Sequence, residues 1–171
     1  MLRTTVLLAC LLIAVPASAA APALSSKTLA RMAQAADRSE IVELSAHFDN
    51  ALDAEDPAKF VGTFTPDGEL IGFWGTSEGP QGLRKAFEFM VSTFSKDKRH
   101  VVTNHEVTIQ GDHASMFCYL TVFDRKSLAV TGTATFTDEL VKHNGEWKFV
   151  RRTLRADPNV DPIIKSLSAE H

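Results

Sequence analysis

The sequence predicts an α+β domain in which helices come first and a meandering antiparallel sheet follows. Three observations carry this. Apolar residues keep helical spacing as far as Phe94. From Val101 onward the period changes to two, across four runs. Between those runs stand the turn pairs Gly111-Asp112 and Asn144-Gly145, the second a strong hairpin signal. A sheet of that length must bury one face, and the helices before it are the available cover. Curling the sheet around three helices makes a cone with an internal pocket.

Taken in order, residues 1–20 read as a secretory signal peptide. Arg3 supplies the positive charge, residues 6–15 an apolar run, and Ala17 and Ala19 the small residues before cleavage at Ala20 or Ala21. The run is too short for a membrane span of about 20 residues, and no later stretch is apolar enough to span. A lipid anchor at Cys10 is the alternative, but it leaves only four apolar residues before the cysteine. The expected product is a secreted or periplasmic single domain, residues 21–171.

Residues 25–36 look like a short helix. Asp37-Arg38-Ser39-Glu40 then reads as a capping box. It would open a helix with the apolar stripe Ile41, Leu44, Phe48, Ala51, Leu52. A neighbouring stripe, Val42, Ala46, Asp49, Asp53, starts apolar and ends in two acids. Asp53 could edge a polar cavity there, while Asp49 reads as solvated. Asp56-Pro57 begins a short helix through Phe64, since proline suits a first turn. Thr65-Pro66-Asp67-Gly68 reads as a turn, residues 70–74 as a strand and residues 75–82 as a glycine-rich loop. The third helix carries Leu83, Ala86, Phe87, Met90, Val91 and Phe94. The strands are expected over 101–109, 114–123, 128–141 and 147–154.

Composition excludes several classes of function. Of 18 basic residues only Arg3 leaves with the signal, so 17 face 21 acids, and nucleic acid is not expected as a partner. Once Cys10 is removed Cys118 stands alone, so no internal disulfide can form. His100 and His105 fall on opposite faces of a regular strand, and the remaining histidines show no ligand spacing, so no metal is expected. Residues 75–82 lack the lysine of a phosphate loop.

Three stretches resemble the SnoaL-like, NTF2-like superfamily of α+β cones: ALDAEDPAKFVGTFTPDGEL (51–70), RHVVTN (99–104) and GTATFTDELVKHNGEWKFVRR (132–152). The resemblance is nearest to scytalone dehydratase, bile-acid 7α-dehydratase and hexachlorocyclohexane dehydrochlorinase. It implies a base and its orienting carboxylate at His100 and Asp53. An imidazole takes a proton near neutral pH, and a carboxylate on its other nitrogen fixes the tautomer and stabilises the imidazolium. Such a pair drives elimination or isomerisation without metal or cofactor. By alternation Asn104 shares the face of His100 and is a candidate for a substrate oxygen. Trp74, Tyr119, Phe123 and Phe136, with Phe73, are the candidate lining for a small apolar molecule. Where scytalone dehydratase carries its second polar set, Leu52, Phe123, Ala134 and Phe136 are apolar. A non-catalytic binding or interaction domain is therefore the alternative function. The resemblance also implies a homodimer formed through the outer sheet face. Asp138 and Arg152 are read as a salt-bridge pair across strands.

Overall fold

The structure, a computed structural model, describes residues 23–158. The expected signal peptide and Cys10 lie outside the described residues.

A single helix, α1 (Ser26–Asp53), replaces the two expected. Ser25 caps it, its Oγ accepting from the Thr28 N–H at 3.1 Å. Asp37 caps nothing. Its carboxylate accepts from Lys142 Nζ and, at 3.0 Å, from Trp147 Nε1, both on the sheet. The Lys142 bond, with that from Trp147, holds the Asp37 carboxyl below its ordinary range. The local capping signal thus loses to partners more than 100 residues away. Almost all of the helix before Ile41 is exposed, and packing begins where the apolar stripe does.

Asp56 caps α2 (Pro57–Val61), accepting from the Lys59 N–H at 3.0 Å. The expected turn at 65–68 lies inside β1 (Phe64–Gly72), absorbed as a register shift between Phe64 and Glu69. The expected glycine-rich loop is instead β2 (Gly75–Glu78) and the start of α3 (Gly79–Met90). A π-helical turn, Val91–Ser95, extends α3. Four long strands follow: β3 (Lys98–Gln110), β4 (His113–Asp124), β5 (Val130–His143) and β6 (Glu146–Ala156). Asn144 and Gly145 have φ of 52° and 85°, as a two-residue type I′ turn requires.

The sheet order is β2-β1-β6-β5-β4-β3. The β3–β6 meander is antiparallel as expected, but β1 runs parallel to β6. The sheet is therefore not wholly antiparallel. The 73 residues between Gly72 and Glu146 separate those two strands, so no tight hairpin dictates their direction. The concave face covers Phe48, Phe60, Phe64, Phe87, Phe136 and Phe149, all buried. The Phe48 ring centroid lies 4.5 Å from that of Phe60 and 5.9 Å from that of Phe136. Each such ring contributes about 1.5–3 kcal/mol of burial free energy.

Two bulges decide which residues face this core. In β3 the register shifts between Thr103 and Glu106, where Asn104 takes φ of 56°. In β6, Val150 is the extra residue: Glu139 pairs with Arg151 while Leu140 pairs with Phe149. Before its bulge β6 buries Trp147 and Phe149; after it, Arg152. No helix among the described residues is long and apolar enough to cross a membrane.

Candidate active site

Asp53 is the last residue of α1, which stops there as Glu55 turns into the left-handed region at φ 53°. His100 lies near the start of β3, after Asp97 makes a similar turn at φ 59°. The two side chains meet: Asp53 Oδ1 is 2.6 Å from His100 Nδ1. The main-chain N–H of His100 also donates to both Asp53 oxygens, at 3.2 and 3.3 Å. One carboxylate therefore holds both the ring and the strand that carries it. Arg99 Nε sits 3.8 Å from Oδ2 on the exposed side. With Nδ1–H committed to Asp53, the neutral ring presents its lone pair on Nε2.

His100 lines a cavity of about 290 Å³ on the concave side of the sheet. That is the lower edge of the range of about 300–1,000 Å³ usual for small-molecule sites. Its deep wall is apolar, with Phe48, Leu52, Leu70, Met90, Leu120 and Phe136. Phe73, Trp74 and Phe94 close one side, their ring centroids 4.9–6.3 Å apart. Trp74 lies over Gly72: a Cβ there would come within 2.5–2.7 Å of the indole carbons.

Trp74, Phe136 and His100 thus line the cavity as expected, and Asp53 holds His100 from behind. Asn104, Tyr119 and Phe123 do not line it. Asn104 is the bulge itself, exposed and left-handed, so strict alternation from His100 fails at that residue. On β4 the inward residues are Met116, Cys118, Leu120 and Val122. Tyr119, 48% exposed, and Phe123 therefore stand on the other parity. Tyr119 packs edge to face with Phe117, centroids 5.1 Å apart. The β3 bulge also returns His105 to the face of His100, contrary to the regular-strand expectation. His105 Nε2 is buried, and burial together with Arg152 and Arg38 lowers its pKa. Among the described residues no group of three or more metal-ligating side chains gathers.

Asp49 is the largest departure. It is not solvated but 2% exposed, and it lines the cavity one helical turn before Asp53. Its position on the second stripe, four residues before Asp53, was the available signal. Behind it lies Arg152, fully buried among three phenylalanines, its guanidinium 3.7 Å from the Phe136 ring centre. Arg152 donates to Ser45 Oγ at 3.3 Å and stands 4.0 Å from Asp49 and 3.7 Å from Asp138. The cross-strand pair of Asp138 and Arg152 is thus present, but as part of a buried trio. One guanidinium cannot neutralise two carboxylates, and burial wins over its attraction. The Asp49 carboxyl is pushed up to about 6 and that of Asp138 to about 7.

The SnoaL-like domain family model matches residues 33–153. A protein of unknown function with a cystatin-like fold from Nostoc punctiforme is 40% identical, with TM-score 0.72 over 74% of this chain and 95% of that one. An NTF2-like protein with a cystatin-like fold from Novosphingobium aromaticivorans is 21% identical, with TM-score 0.71 over 83% and 95% of the chains. A protein provisionally named scytalone dehydratase, from the same organism, is 20% identical, with TM-score 0.62 over 76% and 88%. No curated protein matches the chain. The six-stranded curved sheet, its helices and the matched span together place the chain in the SnoaL-like family, with the NTF2-like cone as its fold.

Proposed function

We propose that this protein is a lyase or isomerase acting, without metal or cofactor, on a small and mostly apolar molecule. The observation that carries the reading is the 2.6 Å contact of Asp53 with His100 Nδ1 on a ring that lines an apolar cavity. His100 Nε2 takes a proton from carbon beside a carbonyl or leaving group. Asp53 stabilises the imidazolium that results. Elimination and isomerisation share this step, so the test need not know the natural substrate. 2-Tetralone, a bicyclic ketone of suitable size, is incubated in deuterium oxide and its α-protons are followed by NMR. Wild type should exchange them well above the buffer rate, and His100→Gln should not. Equal rates for the two proteins would remove His100 as the base.

A second reading, ligand carriage without chemistry, draws on the apolar lining at Leu52, Ala134 and Phe136. It is the result to accept if 2-tetralone binds but does not exchange. We place the protein outside the cytoplasm on its first 20 residues. A mature N-terminus at Ala20 or Ala21 by mass spectrometry of an envelope fraction is the expected outcome. A lipid on Cys10 would replace export as a free protein with anchoring.

A further inference from the structure

Only two of the polar side chains that line the cavity are deeply buried: His100, 9% exposed, and Asp49, 2% exposed. The other polar side chains of the lining, Ser92, Thr93, Lys96, Lys98, Thr131 and Thr133, are exposed or half-buried, and so is Trp74, although its indole Nε1 is itself buried and unpaired among the described residues. His100 has its orienting partner. Asp49 does not: neither of its oxygens makes a hydrogen bond among the described residues, and Arg152 stays 4.0 Å away. A buried polar atom left unpaired costs about 1–3 kcal/mol. A group kept at that cost on a cavity wall is explained if a ligand supplies the missing bond.

We propose that Asp49 recognises the ligand's oxygen as a carboxylic acid, donating a hydrogen bond and then a proton to it. This inference rests on the reading of the cavity as a ligand site, and it specifies the ligand class. The ligand is compact, uncharged and mostly apolar, with one carbonyl or hydroxyl oxygen set against Asp49 and a C–H bond set against His100. As His100 Nε2 takes the carbon-bound proton, the C–H electron pair moves to form a carbon–carbon double bond. The carbonyl π pair moves onto oxygen, which accepts the Asp49 proton. The product is an enol, with His100 left as imidazolium and Asp49 as carboxylate. Return of both protons restores the enzyme.

The surroundings suit a neutral acid. Asp49 is faced by Asp53 on its own helix, His100 from β3, the Cys118 thiol from β4, Asp138 from β5 and Arg152 from β6. Burial and the neighbouring Asp53 raise its pKa, while Arg152 and His100 lower it; the outcome, about 6, leaves the acid form populated in mildly acidic solution.

The test compares binding of 2-tetralone with that of tetralin, the hydrocarbon of nearly the same shape, by NMR titration. Wild type should prefer the ketone about tenfold at pH 5, and the preference should fade by pH 8 as Asp49 ionises. Asp49→Asn, whose amide donates at any pH, should keep the preference at both values. Asp49→Leu should lose it at both while still binding tetralin, which also shows that the cavity is intact. His100→Gln should leave it in place. A preference that survives in Asp49→Leu, a wild-type preference independent of pH, or a wild type that binds neither compound overturns the proposal. Failure of His100→Gln to abolish deuterium exchange removes the base and leaves the recognition by Asp49 standing.

Discussion

Replacing Asp138 with asparagine should make the protein more stable at pH 8 and leave it nearly unchanged at pH 4. Asp138 is 1% exposed, and its Oδ2 is 3.7 Å from Arg152 Nη1, beyond hydrogen-bond reach. Burial lifts its carboxyl from an ordinary 3.8 to about 7, with Asp49 adding to the rise and Arg152 opposing it. An acid raised by about three pH units loses about 4 kcal/mol of folding stability when it ionises. For a raised carboxyl the sign is fixed: stability is whole below the unfolded value near 3.8 and falls as pH climbs toward 7. Asparagine keeps the volume and an oxygen for Arg152 but carries no charge. It leaves one guanidinium opposite one carboxylate, that of Asp49. Urea unfolding followed by circular dichroism should therefore agree within about 1 kcal/mol at pH 4 and favour the variant by about 2–4 kcal/mol at pH 8. If Asp138→Asn is the less stable protein at pH 8, attraction to Arg152 outweighs desolvation and the account of the trio is wrong.

His100→Gln should unfold within about 1–2 kcal/mol of wild type, having lost one partly buried hydrogen bond; a larger loss in the same urea titration would make the ring structural. Asp53→Asn should lose about as much of the deuterium-exchange rate as His100→Gln, because the two act as a unit; a rate near wild type separates them. Gly72→Ala puts a methyl into the Trp74 ring and should cost about 1–3 kcal/mol. It should also shift tryptophan emission to the red as the indole moves, and an unchanged spectrum contradicts the packing. At Asn104, glycine should change stability by less than about 0.5 kcal/mol and valine should cost about 1–2 kcal/mol. Equal midpoints for those two variants would mean that the bulge is not left-handed there.

Periodicity made the apolar helix stripes and the four long strands legible, and residue type the Asn144-Gly145 turn, because each is dictated by neighbours in sequence. The contact of Asp53 with His100 came from positional resemblance to related dehydratases rather than from spacing. What could not be read depends on distant partners. Asp37 looks like a cap until Lys142 and Trp147 arrive from the sheet. Asp49 looks solvated because a carboxylate at the margin of a helical stripe usually is, and only β6 brings Arg152 behind it. Tyr119 and Phe123 drew attention as aromatic residues, although Met116, Leu120 and Val122 share the opposite parity and mark the inner face. Asn104 failed because a bulge is invisible to a rule that counts by twos.

The two bulges also divide the cone into compartments that can change separately. Within β3, the part before the bulge carries His100 to the cavity, and the residues from His105 onward lie away from it. Val150 makes a like division in β6. A substitution or even a compensated insertion on one side of such a boundary leaves the inside–outside phase of the other side intact. Removing either extra residue would itself slip one part of the strand by one position and turn that part inside out.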